Sequence, residues 1–266
     1  MSNAAALRRF LDITRVLAAT GLKARYFGSF LGYLWSLVRP LALFGVLYFV
    51  FTEIVAFGGP VKDYPLKLLL GLFIATYFID VSSKALTSLV DESSVLRAIS
   101  FPRAAIPLSV ALMEGFHLAL NVAVVLAAVM VSGIAPTVAW LELLPLLALL
   151  IVFSIAVSFP LSLLYVSYRD MDPIWAVLSQ VLFWGSPLVY VIESVPDGIQ
   201  EFLMMNPLAV VITELRHALI DPSAPSAAEA AGGAAMLLIP LGLTVSLLAA
   251  GLAYYRRSSA QIPERL

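Results

Sequence analysis

The sequence predicts an all-α integral membrane protein, and three observations carry that expectation. Of its 266 residues, 61% are hydrophobic and 12% charged, whereas a soluble domain is about half apolar and about a quarter charged. Mean hydropathy is +0.97. Six apolar runs are each long enough to cross ~30 Å of hydrocarbon at ~1.5 Å per residue. Lys and Arg, finally, gather in alternate connections between those runs.

The whole chain, 1–266, reads as one transmembrane domain. Residues 1–36 are an interface region. Within it Leu7, Phe10, Leu11, Thr14 and Leu17 fall on one side of a helix over 7–22, and Arg8, Asp12 and Arg15 on another. That pattern suits an amphipathic helix lying flat in the headgroup layer; a cytosolic helix packed on a partner is the competing reading. Charges scattered among the apolar positions also make this no cleavable signal peptide. The first five spans fill 37–192, at roughly 37–57, 66–89, 105–131, 141–166 and 173–192. An outer loop, 193–232, contains a further apolar stretch, 202–220, which Pro207 breaks and which is too short to span. The sixth span follows at 234–255, within 233–256, and a tail at 257–266 ends the chain.

An inside N-terminus places Arg8, Arg9, Arg15, Lys23, Arg25, Arg39, Lys84, Arg97, Arg103, Arg169, Arg256, Arg257 and Arg265 on the cytoplasmic side. Only Lys62, Lys67 and Arg216 of the 16 basic residues remain outside. Both termini are therefore expected to be cytoplasmic.

Polar residues interrupt two of the spans. Thr76, Asp80, Ser83, Lys84 and Thr87 form one stripe, and Glu114, His117 and Asn121 another. The two spans leave a shared inner loop in opposite directions, so Asp80 and Glu114 are expected at similar depth, ~15 Å above it. Two readings stand. The stripes line a substrate path or a relay of ion pairs, or Asp80–Lys84 is a self-neutralising i,i+4 pair and Glu114–His117 joins helices. In the fourth span Ser154, Ser158 and Ser162 recur every four residues, a row of small side chains that lets helices approach.

Several chemistries are missing. A net charge of -1 argues against a polyanionic partner such as nucleic acid, and the absence of cysteine removes disulfides and thiolate metal sites. No GxxxxGK[ST] phosphate loop, HExxH or GxSxG is present. His117 and His217 are a hundred residues apart with no clustered carboxylates. No catalytic residue, metal site or bound cofactor is expected. The inner-boundary motifs YRDMDP and VDESS look like contact points.

Three stretches carry a resemblance to a known family. The run ARYFGSFLGYLWSLVRPLALFGVLYFVF, 24–51, resembles the approach to the first span in permeases of ABC exporters for polysaccharides such as O-antigen, capsule, teichoic acid and galactan. The segment YRDMDPIWAVLSQVLFWGSPLVYVIESVP, followed by MMNPLAVVITELRHALI, is similar to that family's inner Arg-Asp loop, its F-x-x-S/T-P-x-x-Y segment and its later Asn-Pro. FPRAAIPLS, after the second span, fits as well. The likeness runs over 7–255; the loop after Val195 and the tail SSAQIPERL have little counterpart.

The resemblance implies half a transporter of the bacterial plasma (inner) membrane. A second copy of the chain and two separately encoded ATP-binding-cassette subunits would complete it. ATP and Mg would be used by those partners, none by this chain, and the substrate would be a lipid-linked polysaccharide. The flat N-terminal helix would border the cytoplasmic entrance. Asp91, Glu92, Ser93, Ser94, Leu96 and Arg97 would form the helix docked on the ATPase, and the segment with Pro196, Asn206 and Pro207 would re-enter at the outer mouth. Arg25 and Arg39 would attract phosphate, and Phe30, Tyr33 and Trp35 would stack on sugar faces. An interfacial aromatic belt with basic anchors is the other reading of those residues. Asp80, Lys84, Glu114 and His117 complete the expected path. A drug or lipid exporter of the same architecture, a proton-coupled carrier using Asp80, Glu114 and His117, and an integral membrane enzyme are the alternatives.

Overall fold

A computed structural model describes residues 3–27, 32–54, 61–98 and 101–258, all helix, turn or irregular chain with no strand among them. The elements in order are α1 (Asn3–Tyr26), α2 (Trp35–Phe49), α3 (Tyr64–Asp91), α4 (Ser93–Ala98), α5 (Ala105–Val131) and α6 (Leu143–Ser167). They continue as α7 (Met171–Gly185), α8 (Asp197–Leu203), α9 (Pro207–Leu219), α10 (Ala227–Ala230) and α11 (Leu238–Ser258). Five stretches are long and apolar enough to cross a membrane: Trp35–Ile54, Tyr64–Asp91, Ala105–Val131, Val138–Ser167 and Ala234–Arg257.

The centre of the bundle is α3, apolar on all sides but one and buried along most of its length, as a helix without a polar face must be. It packs on α5 and α6, and α11 packs on α6. Phe78 stacks on Phe153 with centroids 5.0 Å apart. The serine row of α6 lies inside this packing. Ser154, Ser158 and Ser162 return their hydroxyls to the carbonyls of Leu150, Ser154 and Phe159, so small polar residues are buried with their hydrogen bonds made. Across from them Gly251 brings α11 so close that a Cβ there would stand 3.2 Å from both Phe159 and Pro160.

Leu89, Ile106, Phe159, Leu163, Val166 and Tyr255 form one cluster. The C-terminal parts of α3, α6 and α11 and the start of α5 therefore share one end of the bundle. In the topology expected from the Lys/Arg bias this is the inner end and the opposite end the outer one, and the two ends take their names from it.

Three expectations are corrected. The run 173–192 is not one helix: α7 stops at Gly185, because Pro187 has no N–H to continue it and pushes Ser186 to an extended ψ of 151°. Residues 186–191 continue as irregular chain, so the helical part is 15 residues. The N-terminal helix is longer than 7–22, and its packed side is rotated. Thr14 and Ala18 are buried, whereas Leu7 and Leu11 remain exposed. The helix lies against α5, where Gly21 meets Met113. Pro207 does not interrupt a helix but starts one, at its first position, where its missing N–H costs nothing. Asn206 caps α9 by accepting from the Leu208 N–H at 3.0 Å, and Pro196 stands at the N-cap of α8.

Candidate functional site

Periodicity builds the site. Steps of three and four residues put Glu114, His117 and Asn121 on one side of α5 and Thr76, Asp80 and Lys84 on one side of α3, and the two sides face each other. Glu114, 2% exposed, is the hub. Its Oε1 takes Arg25 Nη1 at 2.7 Å and Lys84 Nζ at 3.0 Å. Its Oε2 lies 2.9 Å from His117 Nδ1, and His117 Nε2 lies 2.7 Å from the Tyr26 hydroxyl. Lys84 also reaches Asp80 at 3.3 Å. One buried carboxylate thus ties the last turn of α1 to α3 and α5. Both readings of the polar stripes meet here, since the ion pairs join helices and also border a cavity.

That cavity, about 350 Å³, lies between the end of α1, the start of α2 and the facing sides of α3 and α5. Arg25, Trp35, Arg39, Asp80, Glu114 and His117 from the expected path all line it, and Lys84 stands behind Glu114. Phe30 and the Tyr33 side chain lie outside the described residues. Arg25 does not offer an open charge, because Glu114 holds it. Arg39 is the cation of the wall with no carboxylate partner among the described residues. The wall also includes Tyr77, which reads in sequence as one more apolar residue of α3.

A second polar assembly, at the outer end, was not expected as a unit. The guanidinium of Arg216, 5% exposed, donates to three carbonyls. It reaches Lys67 through Nε at 3.1 Å and Nη2 at 2.9 Å, Leu188 through Nη2 at 2.7 Å and Tyr190 through Nη1 at 3.0 Å. Those carbonyls include the irregular stretch after α7, whose backbone has no helical partners. The Tyr64 hydroxyl donates to Val189 O at 2.8 Å. Burial pulls the Arg216 pKa down to about 10, against the opposing charge of Glu193. Lys67 Nζ lies 2.9 Å from Asp221 and 3.9 Å from Glu193. Burial works against the Asp221 charge, but hydrogen bonds from Ser223 and Lys67 outweigh it and hold the pKa at about 2. The signal that would have found this assembly is a lysine and an arginine inside strongly apolar runs, which demand partners.

The inner turn is assembled as the sequence suggests in outline. Glu92 ends α3, Ser93 starts α4, and Asp91 accepts from the Thr87 hydroxyl at 2.7 Å. Asp91 and Ser94 are exposed, while Leu96 packs on the inner cluster. The Arg97 side chain is outside the described residues. At the outer end Asn206 joins the two segments flanking α8 by donating from Nδ2 to Ser186 Oγ at 3.1 Å.

Residues 13–220 match the family model described as ABC-2 type transporter. The chain is 30% identical to an O-antigen export system permease protein RfbA of Klebsiella pneumoniae over 207 residues, 77% of this chain and 79% of that one. It is 26% identical to the protein of the same name from Myxococcus xanthus over 85% of this chain and 87% of that one. With the polysialic acid transport protein KpsM of Escherichia coli it shares 25% identity over 73% of its length and 76% of the relative's.

Proposed function

The chain belongs to the ABC-2 type transporter family, and on that premise we propose that it is the membrane permease subunit of an ATP-driven exporter of lipid-linked polysaccharide. The observation that carries this is the alignment with an O-antigen export permease over more than three quarters of both chains. The O-antigen relatives are permeases by name, and no phosphate-binding loop occurs in this sequence. Hydrolysis of ATP with Mg therefore falls to a separate subunit, two copies of which pair with two copies of this chain in the bacterial inner membrane.

The chain crosses six times in this reading, with both termini inside. The supporting geometry lies in 168–190. Val166 sits beside Leu89 at the inner end, and Leu188 and Tyr190 are held beside Lys67 at the outer end. The stretch of α3 from Lys67 to Leu89 is ~33 Å long. The chain covers that distance as α7 plus an irregular stretch, tolerable at membrane depth because Arg216 and Tyr64 satisfy its carbonyls. The short helices α8 and α9 then re-enter at the outer mouth. Exposed Asp91 and Ser94 at the turn into α4 face the ATPase, and α1 borders the entrance beside the cavity. Arg39 and Trp35 meet the phosphate and the first sugars there.

The contacts Asp80–Lys84–Glu114–His117–Tyr26 favour one competing reading, a proton-coupled carrier. Against it, both Glu114 oxygens are already occupied, one by two cations and the other by His117. Affinity purification in mild detergent decides between them. The expected result is a P-loop ATPase recovered one-to-one, and export of surface polysaccharide lost when either gene is removed. Transport by the isolated chain along an ion gradient would overturn the reading.

A further inference from the structure

The cavity holds two polar atoms that its ion pairs do not use. The Tyr77 hydroxyl on α3 and Asn121 Oδ1 on α5 are buried without a hydrogen-bond partner among the described residues. Their residues are 4% and 6% exposed, and both line the cavity. Unpartnered buried polar atoms are rare because each forfeits its solvation for nothing, so a pair of them on one cavity wall asks for a reason. The rest of the wall adds the exposed ring of Trp35, the guanidinium of Arg39, which has no carboxylate partner among the described residues, and the half-exposed carboxylate of Asp80.

These groups select a ligand chemistry. Asn121 Oδ1 only accepts, Arg39 only donates, and Tyr77 does both. An isolated phosphate brings acceptors, which leaves Asn121 Oδ1 unanswered and meets the carboxylates of Asp80 and Glu114. An apolar chain answers neither atom. A neutral ring bearing several hydroxyls donates and accepts around its rim and presents a face to an indole. At about 350 Å³ the cavity stands at the small end of ligand pockets, ~300–1,000 Å³, room for a ring unit and not for a polymer.

We propose that this cavity is a binding site for a single sugar ring, with Tyr77 and Asn121 hydrogen-bonded to ring hydroxyls and Trp35 covering the ring face. The assignment rests on the polysaccharide reading and goes further, to the residues that hold one unit. The ring arrives on a glycan chain or as the head group of a glycolipid.

The test uses the permease–ATPase complex purified in a zwitterionic detergent without a sugar head group. Saturation-transfer NMR is run with free N-acetylglucosamine, galactose, rhamnose and mannose, and in parallel with bicelles containing monoglucosyl diacylglycerol. Ring-proton transfer from at least one free sugar is expected, falling about tenfold or more in Tyr77→Phe and Asn121→Leu. Transfer from the glycolipid alone, with the same sensitivity, assigns the ring to a lipid head group. Because the two atoms have no partner among the described residues, both variants should keep or raise the unfolding temperature of the ligand-free complex. No transfer from either source, or transfer indifferent to both variants, overturns the site. So does a fall in unfolding temperature in both variants, which would make these groups structural. A parent that exports polysaccharide while giving these negative results keeps the permease reading and loses only the sugar site. A parent that exports none sinks the permease reading itself.

Discussion

Arg25 of α1 and Glu114 of α5 meet at 2.7 Å across 89 positions of sequence, and this contact anchors the interface helix to the bundle. The two partners are not equivalent. Glu114 is buried and serves Lys84 and His117 as well, whereas Arg25 is about a third exposed. Removing the carboxylate leaves Lys84 with Asp80 alone and takes away the acid that holds Arg25, and each charge-assisted hydrogen bond lost in this way costs ~1.5–3 kcal/mol. Losing Arg25 leaves Glu114 its other two partners and costs well under half as much. Thermal unfolding in detergent should therefore order the variants as parent, Arg25→Ala, Glu114→Ala, with a wide gap before the last. Equal losses would show that the hub is not Glu114.

Arg216 makes an equally specific demand at the outer end. Its planar fork serves three carbonyls, which a lysine ammonium on a flexible stem cannot match. Arg216→Lys should cost ~2 kcal/mol or more by leaving buried carbonyls unsatisfied. Gly71→Ala should disturb the same contact, because a Cβ there would lie 3.0 Å from Arg216 Nη2 and 3.0 Å from Leu188 Cα. A double-mutant cycle on unfolding temperature should find the two losses clearly less than additive. Full additivity would mean that they act on separate structures.

The neighbouring Lys67–Asp221 pair predicts a pH dependence. Asp221 is held at about 2, below its ordinary 3.8. A depressed carboxyl pKa stabilises the fold fully above the unfolded value and loses that contribution as pH falls through the folded one. The difference is roughly 2 kcal/mol. The gap in unfolding temperature between parent and Asp221→Asn should be constant from pH 8 to 5 and close only between about 4 and 2. A gap that closes near pH 6 would assign the stabilisation to another group.

These two assemblies were unequally legible, for a physical reason. The inner one announces itself within single helices, because Asp80–Lys84 and Glu114–His117–Asn121 repeat at helical steps and place their own partners. The outer one has no local period. Lys67 and Asp221 are 154 positions apart, and Arg216 binds backbone, which carries no side-chain signature. Counted only as charges on the expected outer side, Lys67 and Arg216 gave no hint of burial. The same blindness to backbone explains α7. Its apolar composition runs through 173–192, but Ser186-Pro187 ends the helix, and the open carbonyls that result are made tenable by a guanidinium from a later helix and the Tyr64 hydroxyl.

The turn between α3 and α5 yields the last expectation. Asp91 is exposed at the end of α3, its side chain receiving the Thr87 hydroxyl, and Glu92 closes that helix before α4 begins. Leu96 meanwhile packs on the inner cluster with Leu89 and Ile106, so α4 is fixed to the bundle from beneath while the preceding acids face outward. On the proposed docking of this turn, a push on the acids would pass to α3 and α5 without melting the turn. Reversing both charges, Asp91→Lys with Glu92→Lys, touches no buried contact and should shift the unfolding temperature by only a degree or two. It should nonetheless abolish most of the ATPase stimulation that the permease gives its partner in proteoliposomes. Leu96→Ala should do the opposite, lowering stability by ~1–2 kcal/mol for a half-buried side chain while both acids, and with them the stimulation, persist. Stimulation unchanged by the double reversal would remove the turn from the coupling path.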